Sequence, residues 1–350
     1  MFLPFWRGRA DFCLAVPTTM ALTTLNALRA LRPIALGLMV GCCSSVLFAQ
    51  SPTDYPNHPI RFVVSFPAAG STDIVTRLLA QKLSERLGQP FVVEQKVGAG
   101  GFIGNDFVAK SAPDGYNLVL LTGGHPSSVA MSKKLPYDPI NGFGMVGTVI
   151  TYPMVVSVAT DSDIKDFESL LQKVKAHPKD LSFSSSGVGS LHHLLGEWLN
   201  IELGSSMLHV PFKGAGQAMT EVIGGRVDLM IETATFSFGQ IKGGKMKGLA
   251  VSSDKRSPLM PSLPSVSEYI PGLEFSSWLG VAVAPGTPAA IIDKLNRELR
   301  QIIAAPEIKL KFAELGGTAS PSSPEEMKNR IQLEIERWQK VVELKGIDKQ

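Results

Sequence analysis

From residue 60 onward, short apolar runs alternate with amphipathic runs, and Gly-, Ser- and Thr-rich turns stand between them. Strands feeding crossover helices give this alternation, so the chain is expected to form an α/β fold with a mainly parallel sheet in each domain. Ile60–Val64 predicts a buried strand, and SFPAAGST leads into a helix over 73–87. That helix carries Ile74, Val75, Leu78, Leu79, Leu83 and Leu87 on one stripe and ends at Gly88. A second strand is expected over 91–94. A Gly-rich turn then opens a helix with Ile103, Phe107 and Val108 inward. Pro113, Asp114 and Gly115 turn the chain into a third strand over 116–121.

The pattern restarts after LPYDPINGFGMVGTVITYP, where strand-like VITYPMVVSV can carry the chain from one domain into another. A helix over 166–177, strand LSFS, loop SSGVGS, a helix over 191–201, strand MLHV and loop PFKGAG follow. A helix ending at Gly224 and Gly225 and strands RVDLMIE and MKGLAVS complete this unit. From Trp278 the chain reads as strand WLGVAVAP, helix AAIIDKLNRELRQIIA and a long last helix. Ser323, Pro324 and Glu326 open that helix as a capping box with Pro at its first position. The expected division is one domain from 51–152 with 276–350, and a second from 153–275.

Before this body, PIALGLMVGCCSSVLFAQ holds an apolar stretch too short to span a bilayer and suited to a signal peptide, with Arg29 and Arg32 ahead of it. Residues 1–49 are therefore read as a signal peptide and the protein as periplasmic. Cleavage is placed after Ala49, and because Asp11 and its surroundings serve no signal function, translation is expected to start at Met20. Cys42, behind Gly41, leaves lipoprotein anchoring open as a second use of the leader. All three cysteines, Cys13, Cys42 and Cys43, lie in this leader, so neither a disulfide nor a thiolate metal site is expected after export. Positions beyond 50 hold 30 basic and 30 acidic residues. A neutral body without a basic cluster argues against nucleic acid as a partner.

Three turns share one design of strand, short Gly/Ser/Thr-rich turn and helix: PAAGST, TGGHPSS and SSGVGS. Such turns present backbone N–H groups at the positive end of a helix dipole and so are candidate anion sites. In open α/β sheets, ligands bind beyond the carboxyl ends of the strands, where all three would lie. Catalytic patterns are missing. KVGAGGFIG has Ile103 where a dinucleotide fingerprint needs its third glycine, and no G-x-x-x-x-G-K-[ST] or G-x-S-x-G occurs. The six histidines form neither H-x-x-x-H nor H-E-x-x-H, and adjacent His192 and His193 point to different helix faces. Asp73, at a helix start, is read first as a capping residue. No nucleotide cofactor, zinc site or serine nucleophile is expected from these patterns.

Seven blocks in register, YPNHPIRFVVSFPAAGSTD, VEQKVGAGGFIG, APDGY, LPYDPI, HVPFKG, RVDLM and WLGVAVAPGTP, resemble the receptors of tripartite tricarboxylate transporters, the Bug-type periplasmic solute-binding proteins. The likeness runs from Tyr55 to Ile347. It implies a two-domain periplasmic binding protein (Venus-flytrap) with a ligand cleft between domains joined by crossing strands. It further implies a small organic carboxylate as ligand, membrane permease subunits as partners, and no catalysis. Main-chain amides, small hydroxyls and waters of the loop after the first strand would hold the carboxylate: here Pro67, Ala68, Ala69, Gly70, Ser71, Thr72 and Asp73. Gly123 and Gly124 would add contacts, as would Ser185, Ser186, Gly187 and Ser190 with His193, and Phe212, Lys213 and Gly214 of the PFKG turn. Glu232 and Thr233 face the cleft by the same analogy.

Three departures from the family pattern bear on the ligand. Ser65, Phe66 and Pro67 precede the Ala-Ala-Gly where Pro then Phe is usual, Phe212 stands for a common Tyr, and Glu232 and Thr233 replace Asp then Asn. A site of backbone donors suits a carboxylate, because charge-assisted hydrogen bonds are roughly twice as strong as neutral ones. Lys213 would add a cation. The rival reading is an exported α/β hydrolase or lyase acting on a small carboxylate, with Asp73, Glu232 or His193 as acid or base.

Overall fold

Strand periodicity sets the layers of this protein, whose computed structural model describes residues 54–350 apart from 69. The signal segment, Met20, Cys42 and Ala69 lie outside the described residues. Strand β1 (Ile60–Val64) turns Phe62 to one face of its sheet and Val63 to the other, and β3 (Asn117–Thr122) does the same with Leu118 and Leu120 against Val119 and Leu121. The first face packs under α1 (Ser71–Leu87) and the later helices α8 (Ala289–Ala304) and α9 (Pro306–Glu314), through Leu79, Leu83, Leu295 and Phe312. The second is covered by α2 (Phe102–Ala109), α3 (Gly124–Met131) and α10 (Pro324–Leu344), which bring Val108, Val129, Met327 and Ile331. Both faces are apolar because both are buried.

Beyond this region the sheet continues. Strand order is β2-β1-β3-β9-β4-β7-β5-β6, with β8 and β10 also paired to β4. Here β2 is Phe91–Gln95, β4 Gly144–Ala159, β5 Ser182–Ser185, β6 Leu208–Pro211, β7 Leu229–Thr233, β8 Met246–Val251, β9 Ser276–Val283 and β10 Thr318–Ala319. The sixteen residues of β4 serve two sheet regions. Gly144 to Pro153 pair with β9, and Met154 to Ala159 pair with β7 and β8. Helices α4 (Phe167–Ala176), α5 (Leu191–Leu203), α6 (Ala215–Ile223) and α7 (Ala234–Lys242) belong to the second region. Ile231 faces the core beneath α5, and Met230 faces the opposite cluster beneath α6.

The flanks are parallel, as the alternation predicts: β1 with β2 and β3, and β5 with β6 and β7. The middle is antiparallel, because β9 returns from the second region and runs against both β3 and β4. The last helix serves both regions. Met327, Ile331 and Ile335 pack on the first, whereas Trp338, Val341 and Val342 complete the core of the second.

Local expectations shift at several points. Helix α1 begins at Ser71, two residues earlier than expected, because extended Gly70 is its N-cap. Its buried stripe centres on Val75, Leu79 and Leu83, which leaves Ile74 exposed at the rim. Ile103 is exposed rather than inward and lies over Gly98, where an added Cβ would meet its Cδ1 at 2.5 Å. Helices α7 and α9 were not expected from the sequence. The capping box of α10 is present, with Ser323 Oγ accepting from the Glu326 N–H and the Glu326 carboxylate accepting from the Ser323 N–H.

Candidate functional site

Strand registers locate the site. Strand β3 runs antiparallel to β9, which runs antiparallel to β4, and Thr122 at the carboxyl end of β3 lies level with Leu279 and Ile150. Strand β7 runs against β4 from the other side, and its carboxyl end, Thr233, is opposite Met154. The parallel strands of the two regions therefore point their carboxyl ends toward each other, across a stretch of four β4 residues or about 13 Å. Turns and helix N-termini from both regions converge on this junction.

On the first side, the exit from β1 is held from below. Buried Ser65 donates its hydroxyl to Asn105 Oδ1 at 3.0 Å, and the Asn105 amide donates to the Tyr137 oxygen at 3.2 Å. The Tyr137 hydroxyl stands 3.4 Å from His125 Nδ1, and His125 Nε2 stands 3.2 Å from the Pro139 carbonyl. A carbonyl only accepts, so the His125 proton is on Nε2 and Nδ1 receives the Tyr137 hydroxyl. Burial pulls the His125 pKa down to about 4, which keeps the ring neutral in this chain of donors. Above it, Pro67, Ala68 and Gly70 are exposed, and Ser71 and Thr72 are half-buried. No side chain caps the helix at Gly70. Asp73 is not the N-cap but sits in the first turn, buried, where it pairs with Arg77 at 3.0 Å and accepts from Gln95 at 3.4 Å.

The TGGHPSS segment is helix almost from its start rather than an open turn, with Pro126 in the first turn of α3, where no N–H partner is needed. Gly123 donates its N–H to the Trp278 carbonyl at 2.8 Å, and Gly124 donates to Thr122 Oγ1 at 3.2 Å. An added Cβ at Gly123 would press on Ser277 and Trp278 at 3.1 Å. These two glycines thus act through close packing against β9, and their amides are already engaged.

On the second side, loop 185–190 is similarly knit. Ser185 Oγ accepts from the Gly187 N–H at 3.1 Å and stands 2.6 Å from His209 Nε2. Ser190 caps α5 by accepting from the His193 N–H, and Gly189 donates to His193 Nδ1 at 3.1 Å. The His193 and His209 rings stack at 3.8 Å. Burial and the neighbouring imidazole push His209 down to about 3, and burial lowers His193 as well. His193 thus orders the loop.

His192 turns the other way, as two adjacent helix positions must. Its Nδ1 meets Ser186 Oγ at 2.8 Å and its Nε2 meets Glu232 Oε1 at 2.9 Å. The same Glu232 oxygen accepts the Thr233 N–H at 2.7 Å. Burial opposes ionisation of both partners, but their mutual attraction prevails: His192 is held above its usual range and Glu232 below its own. Sequence reasoning placed Ser186, Glu232 and Thr233 near the ligand and missed His192, which is 40 residues from Glu232 in the chain. In the PFKG turn, Phe212 donates its N–H to the Ser185 carbonyl at 3.0 Å and leans on the core under α6. Lys213 is exposed, and Gly214 is the N-cap of α6. Thr235 links the second side to the first through its hydroxyl, which donates to the Leu315 carbonyl.

Among the described residues, no group of three or more His, Cys, Asp or Glu is placed to hold a metal ion, and no helix is long and apolar enough to cross a membrane. The junction offers hydroxyls and helix starts, donors of the kind that suit a small anion.

Two α/β regions sharing one long strand, with the carboxyl ends of their parallel strands facing across it, have the fold of periplasmic solute-binding proteins. The family model for the receptor of the tripartite tricarboxylate transporter family matches residues 75–347, and the chain belongs to that family. The protein BugT of Bordetella pertussis is 34% identical over 299 residues, 85% of this chain and 92% of that protein. The structure of MatC from Rhodopseudomonas palustris with bound malate has a TM-score of 0.69 at 30% identity, covering 82% of this chain and 100% of MatC. A second R. palustris protein, with adipate, has a TM-score of 0.73 at 31% identity, covering 84% and 99% of the two chains.

Proposed function

We propose that this protein is a periplasmic receptor that binds a small organic carboxylate at the junction and delivers it to the membrane permease of a tripartite tricarboxylate-type transporter. The observation that carries the reading is the opposition of Thr122 and Thr233, which brings helix starts of both regions to one place. Support also comes from relatives of the same fold whose structures hold malate and adipate. In this reading, residues 51–152 with 276–350 form one lobe and 153–275 the other, with β4 crossing between them and the end of α10 packing on the second lobe. The loop that starts at Pro67 leads into a helix start at Ser71 and Thr72 that no side chain caps at Gly70, and its amides face the ligand. Ser186 and the turn at Phe212 to Gly214 close on the ligand from the opposite lobe, with Lys213 at the rim. A ligand touching both lobes favours the closed state by its extra contacts there. Gly123, Gly124, Ser185, Gly187, Ser190 and His193 shape and stiffen the walls.

The test is thermal unfolding against a panel of mono- and dicarboxylates, after partial unfolding and refolding to remove any trapped ligand. For one site, ligand at about 100 times its Kd adds ~2.7 kcal/mol, a rise of several degrees. An acid that stabilises the protein and is recovered chemically intact supports the receptor. Conversion of that acid to a new product would make the protein an enzyme, and silence across the panel would remove the carboxylate.

A further inference from the structure

The Ser186–His192–Glu232 chain has a direction, and the direction depends on one proton. A charged imidazole donates from both nitrogens, so Nε2–H goes to Glu232 and Nδ1–H goes to Ser186 Oγ. The Ser186 oxygen is then occupied as an acceptor, and its own O–H is left to point elsewhere. A neutral imidazole keeps its proton on Nε2, against the carboxylate, and Nδ1 becomes an acceptor that takes the Ser186 O–H. Ser186 then shows only lone pairs to a ligand. An anion accepts from the first arrangement and is repelled by the second.

We propose that the His192–Glu232 pair sets Ser186 as a hydrogen-bond donor toward the bound carboxylate, so that ligand affinity falls when His192 loses its proton. The proposal rests on the receptor reading above. Ser186 is half-buried in the loop that opens α5, at the carboxyl end of β5, whereas Glu232 is buried and its side chain is 7% exposed. With the His192 side chain 19% exposed, the contact is largely, not fully, withdrawn from water, while the hydroxyl lies in the loop at the carboxyl end of β5.

Other charges near α5 are otherwise engaged. His193 faces Gly189 and stacks on His209 of β6, Glu197 pairs with Lys345 beyond α10, and His125 of α3 faces Pro139. On α4, Lys173 pairs with Asp163, and Arg337 of α10 lies over the Trp198 ring of α5 at 4.6 Å. Glu232 is the one described charge acting on His192, and it outweighs the cost of burying the imidazolium. His192 and Ser186 thus form a positioning residue and its contact, with the Glu232 carboxylate keeping the proton on His192.

Calorimetric titration of the whole protein with malate, adipate and the wider carboxylate panel tests this from about pH 6 to about pH 9.5, where the acids stay ionised and lysines stay charged. The Kd should weaken about tenfold over this range, the loss of one hydrogen bond to a charged acceptor. Ser186→Ala should bind about tenfold more weakly at the low end and show no pH dependence. His192→Gln should be flat as well. The imidazole ¹⁵N shifts of His192 should titrate at the same pH as the affinity, a coincidence a purely structural role would not produce. Binding with a flat wild-type profile would overturn the relay and leave the receptor standing, as would an unchanged pH dependence in Ser186→Ala. Absence of binding by every acid at every pH would remove the receptor reading and this inference with it.

Discussion

Arg330 on α10 donates through one guanidinium nitrogen to both the carbonyl and the hydroxyl of Ser276, at 2.9 and 3.0 Å. Ser276 is the first residue of β9 and pairs with Pro153, so the clamp grips the chain where it returns from the second sheet region. Arg330 also donates to Glu334 at 2.8 Å, and Glu334 accepts from the Trp278 indole at 2.9 Å.

Arg330→Ala would leave half-buried Glu334, which burial already holds above its usual range, with Arg337 as its remaining cationic neighbour. The expected loss of stability is about 1–3 kcal/mol, between an exposed pair and a fully buried one, because the two side chains are 26% and 14% exposed. Arg330→Lys should recover less than half, because an ammonium cannot fork between Ser276 and Glu334. Urea denaturation of the two variants reads both values.

His125 makes the protein acid-sensitive. The unfolded chain takes up a proton at this residue near pH 6.5, whereas the folded protein does so only at about 4. Stability is thus complete above pH 6.5 and is lost as pH falls through that window, by at most ~3 kcal/mol at pH 4. His209, held at about 3, acts in the same direction. Urea midpoints measured at neutral and acid pH should fall less in His125→Gln than in the wild type, although the variant starts from lower stability.

Gly104 permits the Ser65–Asn105 contact. An added Cβ would run into the Ser65 hydroxyl and stand 3.0 Å from the Lys96 carbonyl, so Gly104→Ala should cost about 1–3 kcal/mol. Gly216 on α6 has nothing within 4 Å of such an atom, and Gly216→Ala should be neutral or stabilise by up to about 1 kcal/mol. Thermal unfolding of the two variants side by side separates steric conflict from helix propensity.

Lys213 is exposed in the turn between β6 and α6, which the proposed function sets at the rim of the ligand site. Lys213→Ala should weaken binding of a stabilising carboxylate about twofold to fivefold at low salt, the range of a solvent-exposed ion pair. Near 0.5 M salt the difference should shrink toward nothing, because a Debye length of a few ångströms screens the charge. Calorimetry at the two salt concentrations gives the comparison.

Features set by neighbours in sequence were legible, and those set by distant partners were not. Ser323, Pro324 and Glu326 announce the start of α10 because a capping box is complete within four residues. The alternation of Phe62 and Val63 likewise predicts a two-faced strand. Helix α7, Ala-Thr-Phe-Ser-Phe-Gly-Gln-Ile-Lys, has little intrinsic helix propensity and is held by the packing of Ala234, Phe236, Phe238 and Ile241 on the clusters beneath it. The site divides in the same way. Its Gly- and Ser-rich turns stand out in the sequence, but nothing local pairs His192 with Glu232 or aligns Ser65, Asn105, Tyr137 and His125. Those partners meet only because β5 pairs with β7 in one region, and β1 pairs with β2 and β3 in the other, which sets the following segments side by side. The engaged amides of Gly123 and Gly124 were equally hidden, since their acceptors depend on how β9 returns.

The division of α10 between two cores limits how this chain can be taken apart. Tyr152 and Ser277 lie opposite each other, so residues 153–275 enter and leave at one point, as an inserted module would. Excising them would nevertheless strip the cover from Trp338, Val341 and Val342 and leave a naked apolar ridge on the remaining body. Each half is therefore the solubilising coat of the other, and a shortened protein built at that apparent seam would aggregate rather than fold as a free-standing unit.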